Sequence, residues 1–209
     1  MIVTAHQPNY LPGLSVVEKV KMSEAVIWLD EVQYSHGGWS NRNRMPDDSW
    51  LTVPVDRMTD MAPFNRVRIS EHDNWRKKHE RALFQYYGDH ALDVVREIRK
   101  PYRLLIGLNL ACLSVILEGD STPWHFQSHL DGGHAVQAVS EDQAELLPIS
   151  ERLAMMVEEV GGDTYLSGPS GRNYLDEEPF IRRGISVWYF HWGGKNSCSM
   201  ELVASRVRG

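Results

Sequence analysis

The chain has 209 residues, 42% of them hydrophobic, enough for a buried core in one domain or two small ones. A net charge of −6 argues against a general binder of nucleic acid or anionic membrane, because phosphate backbones and anionic lipids select a basic footprint. Cys112 and Cys198 are isolated, which excludes a disulfide framework and a Cys-x-x-Cys pair; no basic apolar leader and no bilayer-length run is present, so the expectation is a cytoplasmic protein without a membrane span.

Taken in chain order, Met1 to Ala5 is a short apolar run, and Pro8 turns Gln7 away from helix, so a first strand ends at the polar turn TAHQPNYLPG. Leu14, Val17 and Val20 then recur at helical spacing, and Ala25 to Leu29 is an apolar run suited to a buried strand. A strand, helix, strand unit of this kind makes parallel neighbours through a right-handed crossover, which brings the ends carrying His6 and Asp30 to one edge of a sheet. Tyr34 to Met45 is expected as loop, Trp50 to Val55 as strand and Arg66 to Ile69 as a further short strand. The capping pattern Ser70-Glu-His-Asp73 announces a helix with Trp75, His79, Leu83 and Tyr86 or Tyr87 on its apolar side. Leu105, Leu108, Cys112 and Val115 or Ile116 mark one core helix, and Leu153, Met156, Val157 and Val160 another, which stops at Gly161-Gly162. Between these two helices, TPWHFQSHLDGGHAVQAVSEDQ is expected to be an irregular, mobile loop. The last quarter repeats the opening idea: strand Thr164 to Leu166, turn SGPSGRNY, helix Asp176 to Arg183, strand Ile185 to His191. The fold class expected is α/β, a Rossmann-like mostly parallel sheet with helices on both faces. It forms one domain over residues 1–209, with a mainly helical insertion at about 70–160.

His6, at a strand end and with an ordinary pKa near 6.5, is placed for general-base work, and Asp30 is placed to fix its tautomer. The structural alternative has His6 bonded to a backbone carbonyl or capping the next helix. Asn41-Arg42-Asn43-Arg44 after Trp39 is a dense set of fork donors and amides suited to a carboxylate, a phosphate or sugar hydroxyls; the alternative is a solvated loop. Ser167-Gly-Pro-Ser170-Gly differs from the Gly-x-Ser-x-Gly elbow and points to binding rather than covalent catalysis. His6-Gln-Pro-Asn9 is similar to the His-x-x-His phosphate turn of nucleotidyltransferases, with Asn9 out of pattern. His125, His129 and His134 have no cysteine or His-Glu motif nearby, so no metal site is assigned. Cys198 has no local base to make it a nucleophile.

Five segments occur in order: HQPNYLP, LDEVQYS, WSNRNRM with WLTVPV, TYLSGPSGRNYL, and Phe180-x-x-x-Gly184-Ile185. Together they resemble the WbqC-like family from about Ile2 to the end. The resemblance implies a bacterial cytoplasmic protein of O-antigen, capsule or natural-product gene clusters, transferring glycine or a similar aminoacyl group beside a carrier protein. The family positions are His6, Gln7, Pro8, Asn9, Tyr10, Asp30, Gln33, Asn41, Arg42, Ser167, Gly168 and Tyr174; the chain departs from the pattern at Ser35-His36-Gly37-Gly38 and at Cys198-Ser-Met-Glu201. The activity this suggests is aminoacyl or acyl transfer from a carrier-protein thioester to a small-molecule amine or amino sugar, with His6 as base and Asp30 as its orienting partner. Asn9, Gln33 or Asn41 would donate to the oxyanion, and Arg42 or Arg44 would hold a phosphate. Gln7, Tyr10, Ser167, Gly168 and Tyr174 complete the expected binding set. No cofactor is expected to be bound; phosphopantetheine arrives on an acyl or peptidyl carrier protein, and neither nucleic acid nor membrane is a partner. A thioester hydrolase, a nucleotidyltransferase-like enzyme and a non-catalytic carrier or nucleotide-sugar binding module are the alternatives.

Overall fold

A computed structural model of the chain describes residues 1–56, 62–71, 74–118, 120–140 and 143–205. In chain order the first half comprises β1 (Ile2–His6), α1 (Leu14–Lys21), β2 (Ala25–Trp28), β3 (Arg42–Arg44), β4 (Trp50–Thr52), α2 (Trp75–Tyr87), α3 (Leu92–Arg99) and α4 (Leu105–Ile116). There follow β5 (Trp124–Phe126), α5 (Asp131–His134), β6 (Val136–Ser140), β7 (Gln143–Leu146), α6 (Ile149–Glu159), β8 (Thr164–Ser167), α7 (Glu178–Ile181), β9 (Ser186–Tyr189) and α8 (Met200–Ser205). These elements form two compact units: residues 1–6, 18–29 and 121–193, and residues 7–17, 30–120 and 194–209.

The first unit is an α/β layer built on a five-stranded sheet in the order β5-β2-β1-β8-β9, with every pair parallel. Parallel strands are covered on both faces and so carry apolar runs instead of alternation; all four residues of β2, and Val3 to Ala5 in β1, are buried. Chain order runs outward from β1 through β2 to β5, then returns to the other side of β1 for β8 and β9. With right-handed crossovers, connections running in opposite directions put their helices on opposite faces. Val3, Ala5, Ala25, Ile27 and Tyr165 of the sheet pack with Leu153, Ala154, Met156 and Val157 of α6 and with Phe180 of α7. The helix α6 ends as its spacing indicates, with Gly161 at φ +81° supplying the left-handed exit.

One expectation changes here. The segment after Pro123, anticipated as irregular, supplies β5, whose Trp124, His125 and Phe126 pair with Val26, Ile27 and Trp28. Three residues are too few to show a period, and what makes them a strand is the open edge of β2 together with the edge-to-face packing of Trp124 on Trp28 at 5.5 Å. A short helix, α5, and the antiparallel pair β6-β7 follow within the same stretch.

The second unit holds α2, α3 and α4 with the β3-β4 hairpin. Helix α2 buries Trp75, His79, Leu83 and Tyr87 at helical spacing, and α4 buries Leu105, Leu108, Cys112 and Ile116. Of the capping pattern expected before α2, His72 and Asp73 lie outside the described residues; the helix begins at Trp75 after Asn74, whose side chain does not cap it. Residues 42–44, anticipated as loop, form β3, because Asn43 faces inward between two arginines that face out and the backbone pairs with Trp50, Leu51 and Thr52. The strand expected from Arg66 to Ile69 is instead a 3₁₀ turn, Phe64–Arg66, followed by single bridges of Arg68 to Leu104 and of Ile69 to Val55.

Candidate functional site

In the sheet unit, strand order reverses between β1 and β8, and the crevice beyond the carboxyl ends of such a pair is where open parallel sheets bind their ligands. The register shows that crevice opening. β1 pairs with β2 as far as His6 opposite Trp28, and β8 pairs with β9 as far as Ser167 opposite Tyr189, but β1 and β8 pair only at Ile2 with Thr164 and Val3 with Tyr165. Beyond that point, side chains satisfy the groups that face the gap. Thr4 Oγ1 donates to the Leu166 carbonyl at 2.8 Å, and Lys19 Nζ donates to the Ala5 carbonyl at 3.2 Å. His6 ends β1, half-buried, its own carbonyl accepting from Leu29 N–H on the β2 side at 2.9 Å. Ser167 ends β8, buried, with Oγ–H donating to the Gly168 carbonyl at 3.2 Å.

The turn after β8 is a 3₁₀ segment, Pro169–Asn173. A Cβ at Gly171 would lie against the Ser167 hydroxyl, so a larger residue there would oblige that side chain to turn away. Arg172 lays its guanidinium over the Tyr189 ring at 4.2 Å and forms no ion pair among the described residues. Burial and the hydrogen bond that its hydroxyl donates to Glu177 push the Tyr189 phenol up to about 12. Tyr174 stands exposed at the end of the turn.

In the second unit the rest of the turn is held by buried side chains. Asn109 of α4 donates from Nδ2 to the carbonyls of Pro8 and Ser40, both at 2.7 Å. The Tyr10 N–H donates to the Ser40 carbonyl at 3.2 Å. Asn43 Nδ2 and, at 3.7 Å, Cys198 Sγ donate to the Leu11 carbonyl. Leu11 itself is held at φ +42°, a region that bulky residues seldom occupy, so the surrounding bonds impose a strained backbone. The Tyr10 hydroxyl meets His79 Nδ1 at 2.9 Å, both groups buried. Burial lowers the His79 pKa to about 4, against an opposing hydrogen bond to the Thr52 carbonyl and helped by nearby Lys78. A neutral ring that donates to Thr52 accepts at the other nitrogen, so Tyr10 is the donor. Burial, with Cys112 and Cys198 nearby, pushes the Tyr10 phenol well above its ordinary value.

The remaining expected residues divide by what they touch. Gln7 is half-buried, and Asn9 is half-buried with its amide unbonded among the described residues. Asp30 is buried, its carbonyl accepting from Asn65 N–H at 2.7 Å, and Gln33 is exposed beside a bridge to Pro63. Asn41 is buried and donates to the Val53 carbonyl at 2.8 Å. Arg42 donates to the carbonyls of Gly37 and Gly38 and stacks over Trp50 at 4.1 Å; Arg44 stacks on the same indole at 4.8 Å and lies 3.6 Å from Asp48. Arg44, Trp39 and Asn43 line a cavity of about 220 Å³ together with Lys195, Asn196 and Glu201. Three residues at these sites escaped sequence reasoning. Asn109 had a signal, a single amide in the apolar run LIGLNLACL, whereas Lys19 and Thr4 had none, because each becomes special only where β1 and β8 part.

The WbqC-like protein family model matches residues 7–197, nearly the whole length, and the match includes the clamped turn, Asp30, the arginine strand and the turn after β8. The chain belongs to the WbqC-like protein family. It is 29% identical over 194 residues to the uncharacterized protein Rv1507c of Mycobacterium tuberculosis (strain H37Rv), covering 90% of this chain and 81% of that relative. No solved structure matches the chain. For this WbqC-like chain, no helix among the described residues is long and apolar enough to cross a membrane, and no group of three or more His, Cys, Asp or Glu among them is placed to hold a metal ion.

Proposed function

We propose that this WbqC-like protein catalyses aminoacyl or acyl transfer from a carrier-protein thioester to a small-molecule amine, with His6 as the general base. The observation that carries the reading is the position of His6 at the end of β1, beside the one strand pair where the parallel sheet reverses its order and opens. In the step proposed, His6 takes a proton from the attacking amine nitrogen, which bonds to the thioester carbonyl carbon. The tetrahedral oxyanion then collapses, breaking the C–S bond, and the proton passes to the departing thiolate. No covalent enzyme intermediate is involved. Asp30 is the proposed orienting carboxylate and Asn9 the proposed oxyanion donor, since the Asn41 amide is engaged by Val53. Arg44, exposed beside the 220 Å³ cavity, is the proposed contact for the phosphate of a carrier-borne phosphopantetheine.

The test is intact-protein mass spectrometry of a glycyl-loaded carrier protein incubated with wild type and with His6→Ala, with and without an amino-sugar acceptor. Loss of the glycyl mass that needs both His6 and the acceptor supports transfer; loss without the acceptor makes the protein a thioester hydrolase. A loaded carrier left intact by wild type ends the thioester reading. The strand order, shared with nucleotide-binding sheets, favours one second reading, a nucleotidyltransferase-like enzyme. It requires a nucleoside triphosphate to raise the melting temperature.

A further inference from the structure

Lys19 is the one lysine among the described residues that is buried, 4% exposed, and it forms a single side-chain hydrogen bond, to the Ala5 carbonyl. The direction of that carbonyl locates the ammonium. Along β1 the carbonyls of Ile2 and His6 face β2, accepting from Glu24 and Leu29, while that of Met1 faces β8 and accepts from Asp163 and Thr164. Carbonyls alternate along a strand, so the Ala5 carbonyl faces β8 at a level where the two strands have ceased to pair. Likewise the Ser167 carbonyl faces β9, accepting from Phe190, which turns the Leu166 carbonyl toward β1. The Lys19 ammonium therefore stands at the gap between the two strands, with two of its three N–H bonds unused among the described residues.

An ammonium is costly to bury with one neutral acceptor, and no carboxylate pairs with it among the described residues. Were the need only to satisfy the Ala5 carbonyl, a hydroxyl would serve, as Thr4 does for Leu166 across the same gap. Burial accordingly lowers the Lys19 pKa to about 8, so the site stores a demand for negative charge. We propose that Lys19 is the anion-recognition group of the β1/β8 crevice, giving its two free N–H bonds to a carboxylate or phosphate oxygen of the ligand. This inference shares the crevice with the function proposed above but none of its chemistry, so it stands or falls without the thioester assay.

The experiment is a pH titration of the full chain carrying ¹³C-labelled lysine, following each Cε resonance by NMR, with Lys19 assigned from the signal missing in Lys19→Arg. Inorganic phosphate and acetate are added in separate arms, with chloride matching the ionic strength. One lysine is expected to titrate far below the others, and the anion of the right class to raise that midpoint by about one pH unit, because an anion stabilises the ammonium. A rise with phosphate alone assigns a phosphate group, and a rise with acetate alone a carboxylate. In parallel, Lys19→Met is expected to melt at or above the wild-type temperature while losing the anion-induced rise in melting temperature. Midpoints unmoved by either anion, or a Met variant that keeps the full anion-induced rise, overturn the proposal. A Met variant that does not fold leaves the wild-type titration to decide.

Discussion

Tyr10 shows how one side chain fixes the backbone around it. Its hydroxyl is spent inside, on His79, and Tyr10→Phe strands a buried acceptor nitrogen, so a loss of about 1–3 kcal/mol is expected in urea unfolding at pH 7.5. His79 also predicts a pH dependence. Its folded pKa of about 4 lies below an unfolded value near 6.5, so between these limits the unfolded chain binds the extra proton. The contribution of the neutral ring is complete above about pH 6.5 and is lost as pH falls toward 4, up to about 3 kcal/mol in all. Urea midpoints that stay level from pH 7 to pH 4.5 would remove this account. Asp48 offers the opposite kind of test. It sits at φ +63° in the β3-β4 turn with its side chain exposed, and Asp48→Gly relieves that conformation while forfeiting only the exposed Arg44 pair. A stabilisation of up to about 1 kcal/mol is expected by thermal melting.

At the scale of elements, the approach of α6 to the sheet rests on a residue with no side chain. A Cβ on Gly162 would lie 2.6 Å from Val3 Cγ2 and 2.7 Å from Val157 Cγ1, both buried, so Gly162→Ala must displace β1 or α6. The expected loss is about 1–3 kcal/mol in thermal or urea unfolding. Because β1 is the strand that ends at His6, the same variant is expected to impair the crevice before it unfolds the chain, seen as weaker anion-induced stabilisation. The long helices α2, α4 and α6 were legible because their apolar residues repeat at the helical period. The elements β3 and β5 were not: three residues carry no period, and what makes them strands is a partner found elsewhere in the chain.

For the whole molecule, the decisive prediction concerns the proposed base. His6→Ala is expected to lower thioester loss by roughly 100-fold or more while shifting the melting temperature little, since His6 is only half-buried. The proposed role of Asp30 is separable by a double-mutant cycle. If Asp30 acts through His6, Asp30→Asn costs activity in the wild-type background and nothing further in His6→Ala, whereas additive losses would assign the two residues independent roles.

The sequence by itself determined the α/β class, the parallel β1-β2 neighbours with His6 at the strand end, the core helices and the polar turns after β1 and β8, and its ordered segments already resembled the family to which the chain belongs. These are local signals: a period, a proline, a glycine, a motif. Only the tertiary structure decided that β8 lies against β1, that the two strands part after Val3 and Tyr165, and that Lys19 is buried where they part. The pairing of β1 with β8 joins residues about 160 positions apart, and Val3, Ala5 and Tyr165 of the two strands share one core with α6 and with Phe180 of α7, a long-range arrangement that no local signal announces. A lysine between a glutamate and a valine looks like any solvated helical residue until that pairing exists.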